Sequence, residues 1–259
     1  MHVRVGVLGA AGRMGRTVCA AVAADPDLEL VAAVDTAGAG EEVEGVPVSG
    51  DRQALADGGA EVAVDFTHPS AVMDNVRWVV GHGLHAVVGT TGITPEDLEE
   101  IRGLLDEHGG RSNVFVAPNF AIGAVLMMHF AEQAARFLPA VEIIELHHDG
   151  KADAPSGTAM STARRVAAAR PSPYRGPDAE TLAGSRGGDH EGVRVHSVRL
   201  PGLVAHQEVI LGGPGQTLSI RHDSLDRASF MPGVLLAVKA VGERPGLTVG
   251  LEHLLGLGS

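Results

Sequence analysis

The feature that most constrains this chain is the rhythm of its first 120 residues, where short apolar runs rich in Val and Ala alternate with stretches of helical composition. The first run, "VRVGVLG" (3–9), ends in glycine and leads into "RMGRTVCAAVAA" (13–24), which Asp25-Pro26 closes. "LELVAAVD" (28–35), "EVAVDFT" (61–67), "HAVVGTTG" (85–92) and "NVFVAPNF" (113–120) read as further buried strands, with helices near 69–81 and 95–107 between them. A crossover helix returns the chain to the same end of a sheet, so strands joined this way pair in parallel. The expected fold is α/β, a Rossmann-like doubly wound parallel sheet.

The second half changes character. After a helix near 122–137, the runs "AVEIIELHH", "VRVHSVRL", "VAHQEVILGG" and "QTLSIRHD" are strands joined by turns rather than by crossover helices. That pattern predicts a second, α+β domain carrying a mostly antiparallel sheet. Residues 170–192 are rich in Pro, Gly and charge and too long for an idle connection, which suits a mobile loop over a site or a subunit contact. Residues 226–246 are helical again and apolar on one face, as expected of a segment that packs back on the first domain.

Composition excludes several classes of function. A net charge of −12 opposes non-specific binding to nucleic acid or to an acidic membrane surface. No apolar run approaches the roughly 18–20 residues of a membrane span, and the N-terminus enters a strand directly, so no targeting segment is expected. A single cysteine, Cys19, allows neither an intrachain disulfide nor a cysteine metal cluster, and a cytoplasmic location is expected. Of the 20 basic residues only Lys151 and Lys239 are lysines. Lys151 stands out because an amine gives up a proton far more readily than a guanidinium.

"GVLGAAGRMG" places Gly9, Gly12 and Gly15 at the end of the first strand. Glycine there permits a tight turn and close approach of a phosphate to the backbone at a helix N-terminus. The spacing departs from strict G-x-G-x-x-G, since Ala10 takes the first position. Asp35, 20 residues after Gly15, sits where an acid binds a ribose hydroxyl. A dinucleotide cofactor is expected. Asp35 favours NADH, whereas Arg13 in the turn offers a partner for the 2′-phosphate of NADPH, so use of both is the expectation. "VVGTTG" and "APNF" fall at the carboxyl ends of later strands, where open α/β sheets bind ligands.

A second cluster lies in "ELHHDGKADAPSGTAM" (145–160). A strand delivers His147 and His148 at its end, their side chains on opposite faces. A helix then opens with Ser156, Gly157 and Thr158, and its free N–H groups suit a carboxylate or phosphate. With Lys151 upstream, the cluster fits an anionic small molecule, and either His147 or Lys151 can donate a proton near neutral pH. His147, His148 and Asp149 are consecutive and converge poorly on one ion, so no metal is expected.

The stretch from Glu142 to Ala159 closely resembles the signature of 4-hydroxy-tetrahydrodipicolinate reductases, also called dihydrodipicolinate reductases, of the diaminopimelate and lysine pathway. The resemblance extends to "GVLGAAGRMG", "DFTHP", "VVGTTG", "APNFAIGAVL", "RLPGLVAHQEVILG" and "IRHDSLDRASFMPGVLLAV", and is nearest to the actinobacterial branch. It implies a nucleotide-binding domain of residues 1–120 plus 229–259, and a substrate-binding and oligomerisation domain of residues 121–228 that builds a homotetramer. It implies cofactor contacts from Gly9, Ala10, Ala11, Gly12, Arg13, Met14, Asp35, Gly89, Thr90, Thr91, Ala117, Pro118, Asn119 and Phe120. His148, Lys151, Gly157 and Thr158, with Ser156 beside them, would bind the carboxylates of a cyclic dicarboxylate, and His147 and Lys151 hold the positions assigned to proton donation. Asp149 and Gly150 stand where many relatives carry a basic residue or a histidine. Ala11 and Thr36 stand where some carry a lysine or an arginine, which argues against a strong preference for NADPH. Two rivals are another amino-acid pathway dehydrogenase, which would not be expected to carry H-H-x-x-K with P-S-G-T, and a non-catalytic NAD(P)H-binding sensor.

Overall fold

The computed structural model describes residues 2–174, 176 and 179–257, and the chain divides into two compact units, Met1–Phe120 with Phe230–Ser259, and Ala121–Ser229. The first unit runs through β1 (Val3–Leu8), α1 (Arg13–Ala24), β2 (Leu28–Val34), β3 (Glu42–Val43), β4 (Val46–Ser49), α2 (Gln53–Asp57), β5 (Val62–Asp65), α3 (Val72–Gly81), β6 (His85–Val88), α4 (Pro95–Glu107) and β7 (Val114–Val116). The second runs through α5 (Ile122–Ala135), β8 (Ala140–His147), α6 (Gly157–Ala169), β9 (Gly188–His190), β10 (Val193–Arg199), β11 (Ala205–Gly213) and β12 (Gln216–Ser224). The chain then returns to the first unit as α7 (Met231–Ala240) and β13 (Leu247–Val249).

Among the described residues, the first sheet has the order β13-β7-β6-β5-β1-β2-β4-β3, parallel throughout except for the antiparallel β3–β4 pair. Val5, Val7, Val64, Val87 and Phe115 are fully buried, as strands covered by helices on both faces require. Helix boundaries follow local chemistry. At α4, Thr94 and Asp97 form a capping box and Pro95 supplies a preset φ at the first turn. The order reverses direction at β1, which lies between β2 and β5, so a crevice opens at the carboxyl ends of β1 and β5.

The second sheet has the order β12-β11-β8-β10-β9. It is mostly antiparallel, but β10 runs parallel to β8, and the connection between them contains α6. Here the expectation of turns alone is corrected: β8, α6 and β10 form a crossover unit. Val141, Ile143, Val209 and Leu211 are buried on one face, and α5 and α6 contact the sheet. Of the segment 170–192, residues 175, 177 and 178 lie outside the described residues, and the remainder includes strand β9.

Several strands are shorter than expected. The run 85–92 yields only His85–Val88, and 113–120 only Val114–Val116. A Cβ at Gly89 would meet the Phe66 ring, so packing against that ring shapes the chain there, while the Gly89 N–H still donates to the Asp65 carbonyl at 2.9 Å.

Candidate active site

In the first unit, the turn after β1 is built by close backbone approach. Gly9 has φ +81°, and a Cβ at Gly15 would overlap the Gly9 carbonyl oxygen. Gly12 is the N-cap of α1, has extended backbone and offers no side-chain cap, so the first-turn N–H groups are left for a ligand. The Asp35 carboxylate, at the end of β2, accepts from Ala11 N–H at 3.1 Å and Ala37 N–H at 2.9 Å. It thereby holds the glycine turn while presenting acceptors to a hydroxyl.

A cavity of about 710 Å³ lies at this switch point, and Gly9, Gly12, Asp35, Thr36, Phe66 and Thr67 line it. Turn, helix start and carboxylate together suit a dinucleotide, with the pyrophosphate at α1 and the ribose at Asp35. Ala10 is buried, Ala11 and Met14 are half-buried, and Arg13 is exposed at the first residue of α1. Gly89, Thr90 and Thr91 follow β6, and Ala117, Pro118, Asn119 and Phe120 follow β7, on the same carboxyl edge but not among the residues lining this cavity. Phe66 connects the two regions, lying against Gly89 and with its ring centroid 5.9 Å from that of Phe120.

The Thr90 hydroxyl turns inward. It donates to the buried Asp65 carboxylate at 2.6 Å, as does the Thr67 hydroxyl at 2.7 Å, while Asn75 Nδ2 donates to the other oxygen at 2.8 Å. This network ties the loops after β5 and β6 together. Sequence reasoning missed Phe66, Thr67 and Asp65 as parts of this edge; the acid ending a strand in "DFTHP" was the available signal.

In the second unit, β8 ends at His147, and its alternation places His147 on the same face as Glu145. His148 lies past the strand end and is exposed. Lys151 is three-quarters buried, and its Nζ donates to Asp153 at 2.7 Å. This hydrogen bond holds the Asp153 carboxyl below its usual range. Ser156 caps α6, its hydroxyl accepting from Ala159 N–H at 3.1 Å. Its side chain is thus consumed in the cap. A Cβ at Gly157 would meet nothing within 4 Å, which leaves open space at the start of α6, beside Thr158.

Glu145 is the site residue that sequence inspection did not single out. Its side chain is fully buried and pairs with Arg199 through two hydrogen bonds of 2.8 and 2.9 Å. Burial pushes this carboxyl up most strongly, but hydrogen bonds from Arg199, Ser197 and His147 together outweigh it and leave it below its ordinary 4.5. Burial pushes the His147 imidazole below 6.5 against the pull of Glu145, with Lys151 and Arg199 adding to the fall. At neutral pH the neutral ring therefore predominates over the imidazolium.

A parallel sheet with a glycine-turn crevice at its switch point, in a chain with a separate unit carrying Lys, His and an open helix start, defines the class of two-domain nicotinamide-dependent oxidoreductases. The amine dehydrogenase of Mycobacterium smegmatis shares the fold at 15% identity, with a TM-score of 0.64 over 95% of this chain and 94% of that one. Within this class, the chain belongs to the dihydrodipicolinate reductase family, matching the profile of the family's N-terminus over residues 3–120 and of its C-terminus over 123–255. The 4-hydroxy-tetrahydrodipicolinate reductase of Nocardia farcinica is 58% identical over 261 residues, covering 99% of this chain and 100% of the relative. That of Mycolicibacterium vanbaalenii is 57% identical over 98% of this chain and 100% of its own length. The dipicolinate-bound dihydrodipicolinate reductase of Paenisporosarcina sp. TG-14 superposes with a TM-score of 0.87 at 42% identity, covering 98% of this chain and 99% of that one. The resemblance drawn from the motifs is borne out along nearly the whole chain.

Proposed function

We propose that the chain reduces 4-hydroxy-tetrahydrodipicolinate, with loss of water, to tetrahydrodipicolinate in diaminopimelate and lysine biosynthesis. Full-length relatives of this activity at 58 and 57% identity support the reading. The observation that carries it is the meeting, at one end of the second sheet, of Lys151, His147 and the open start of α6.

Lys151 and the N–H groups at Gly157 and Thr158 would bind the carboxylates of the cyclic dicarboxylate, with His148 at the rim; Ser156 contributes by capping. Neutralising the carboxylates makes the ring a better hydride acceptor. Loss of water from the substrate yields a conjugated cyclic imine, and the nicotinamide cofactor supplies the hydride that adds to it. The ring carbon next to the point of addition then needs a proton, which His147 or Lys151 delivers directly or through water.

The crevice supports a reading of dual NADH and NADPH use: Asp35 offers acceptors to ribose hydroxyls, while Arg13, exposed at the start of α1, and Arg52, which lines the cavity, offer cations to a 2′-phosphate. Gly9 to Met14 would hold the pyrophosphate, and the stretches 89–91 and 117–120 would border the nicotinamide. We place the enzyme in the cytoplasm as a homotetramer, the partly exposed Ile144, Leu146 and Ile210 of the second sheet supporting self-association. Among the described residues, no helix is long and apolar enough to cross a membrane and no acid, His and Cys cluster could hold a metal ion.

Oxidation of NADH and of NADPH with freshly made 4-hydroxy-tetrahydrodipicolinate tests this, comparing wild type with Lys151→Ala. Turnover with both cofactors is expected, and Lys151→Ala is expected to lose it about a hundredfold while still binding cofactor. A wild type that binds NADH and never oxidises it would favour a sensor.

A further inference from the structure

One end of the second sheet holds a buried carboxylate that the steps above do not use. Glu145 accepts hydrogen bonds on both oxygens: on Oε1 from Arg199 Nη2 at 2.8 Å and Ser156 N–H at 3.2 Å, and on Oε2 from Arg199 Nη1 at 2.9 Å and His147 Nδ1 at 2.5 Å. The donors come from β10, from the N-cap of α6 and from β8 itself. Burying an ionised carboxylate is unfavourable unless donors engage it, and an apolar residue would fill the same space at less cost. What the charge adds is control over one imidazole.

An ionised carboxylate can only accept a hydrogen bond. The contact with His147 therefore fixes the proton of the neutral ring on Nδ1 and leaves Nε2 as the nitrogen that meets a ligand. When Nε2 gains a proton, the carboxylate lies against the resulting imidazolium. The other charged groups facing this ring are Arg199, its register partner on β10, and Lys151 in the loop that follows. Both oppose protonation; Arg199 is paired with Glu145 and Lys151 with Asp153.

We infer that Glu145 is a positioning residue for the reduction: acting through His147, it holds Nε2 toward the substrate and stabilises the protonated ring from which the proton leaves. Through Ser156 N–H the same carboxylate anchors the start of α6, where the substrate carboxylate binds. The inference rests on His147 being the proton donor of the proposed reaction. The step balances: once hydride has added to the substrate ring, the adjacent carbon takes the Nε2 proton, the N–H electron pair stays on His147, and the ring returns to its neutral Nδ1–H form. A proton taken from solvent, the one the reduction consumes, then restores the imidazolium.

The test combines nitrogen NMR on ¹⁵N-histidine-labelled enzyme with steady-state kinetics of Glu145→Gln and His147→Gln. The His147→Gln spectrum assigns the His147 signal. Wild type is expected to show the Nδ1–H tautomer when neutral. Glu145→Gln, whose amide presents N–H to the ring, is expected to invert it. That variant should lower kcat at least about tenfold with KM within about threefold, and move the fall of kcat with rising pH to lower pH, because the imidazolium has lost its counter-charge. An Nε2–H tautomer in the wild type overturns the proposal even if Glu145→Gln fails to fold. Wild-type kcat and pH profile in Glu145→Gln, with His147→Gln inactive, overturn it too. Unchanged turnover in His147→Gln instead overturns the reading of His147 as donor, and the inference with it.

Discussion

Glu145 carries a charge with no exposed side-chain surface, and Arg199 supplies two of the hydrogen bonds that hold it. Removing one partner of a buried ion pair leaves the other charge uncompensated, at about 3–5 kcal/mol. Arg199→Met is therefore expected to lower the stability measured by urea unfolding by about 3 kcal/mol at pH 7. The pH dependence has a definite sign. In the wild type the folded carboxyl titrates below its ordinary 4.5, so its contribution is present above that value and is lost as pH falls through the folded value. Without the guanidinium, burial dominates and raises the folded value, so the variant is penalised only while Glu145 is ionised. The gap between the two proteins should narrow as pH falls through the variant's raised value, above 4.5, and go on closing below 4.5; a gap constant from pH 7 to 4 would mean the loss is one of packing. Lys151 and His147 were legible as candidates because residue type and spacing display them. The Glu145–Arg199 pair was not, since its members lie 54 residues apart and meet only because β10 pairs in parallel with β8.

Elements were legible where local chemistry sets their ends. The expected helix 95–107 matches α4 because the capping box and proline lie in its own sequence. Strand ends were overrun where a following turn is also apolar or small, as in "VVGTTG". The β3–β4 hairpin and β13 were missed, since two- to four-residue strands carry too little periodicity to register. At this scale the tightest constraint is α1 against the turn that precedes it. A methyl group at Gly15 would overlap the Gly9 carbonyl and the Ala10 backbone, and backbone cannot swing aside as a flexible side chain can. Gly15→Ala is expected to cost about 1–3 kcal/mol of stability and to weaken NADH binding at least about tenfold by shifting the first-turn N–H groups. Titration calorimetry with NADH checks this; wild-type affinity would show that the turn relaxes without moving the helix start.

For the molecule as a whole, the composition and the helix–strand rhythm disclosed two kinds of architecture. The parallel β8–β10 pair stayed hidden although its helix was read in the sequence, because a helix and a long loop between two strands are compatible with either direction of pairing. The chain path also makes the first unit discontinuous: the chain leaves it at Phe120 and returns at Phe230. The returning segment is integral to that unit. β13 pairs with β7, Lys239 of α7 bonds to Asp25 and Asp27 beyond α1, and Met231, Val234, Val238, Val241 and Leu251 are buried. At about 1.5–3 kcal/mol per large apolar side chain, those five represent roughly 7–15 kcal/mol of burial. That rivals the 5–15 kcal/mol by which whole domains are typically stable. A chain ending at Ser229 is therefore expected to lose NADH binding and the cooperative unfolding of the first unit, although it keeps the glycine turn, Asp35 and every strand from β1 to β7. Near-UV circular dichroism and NADH fluorescence of the truncated chain check this. Retained NADH affinity would mean that the crevice is held by residues 1–120 alone and that the C-terminal segment serves another purpose.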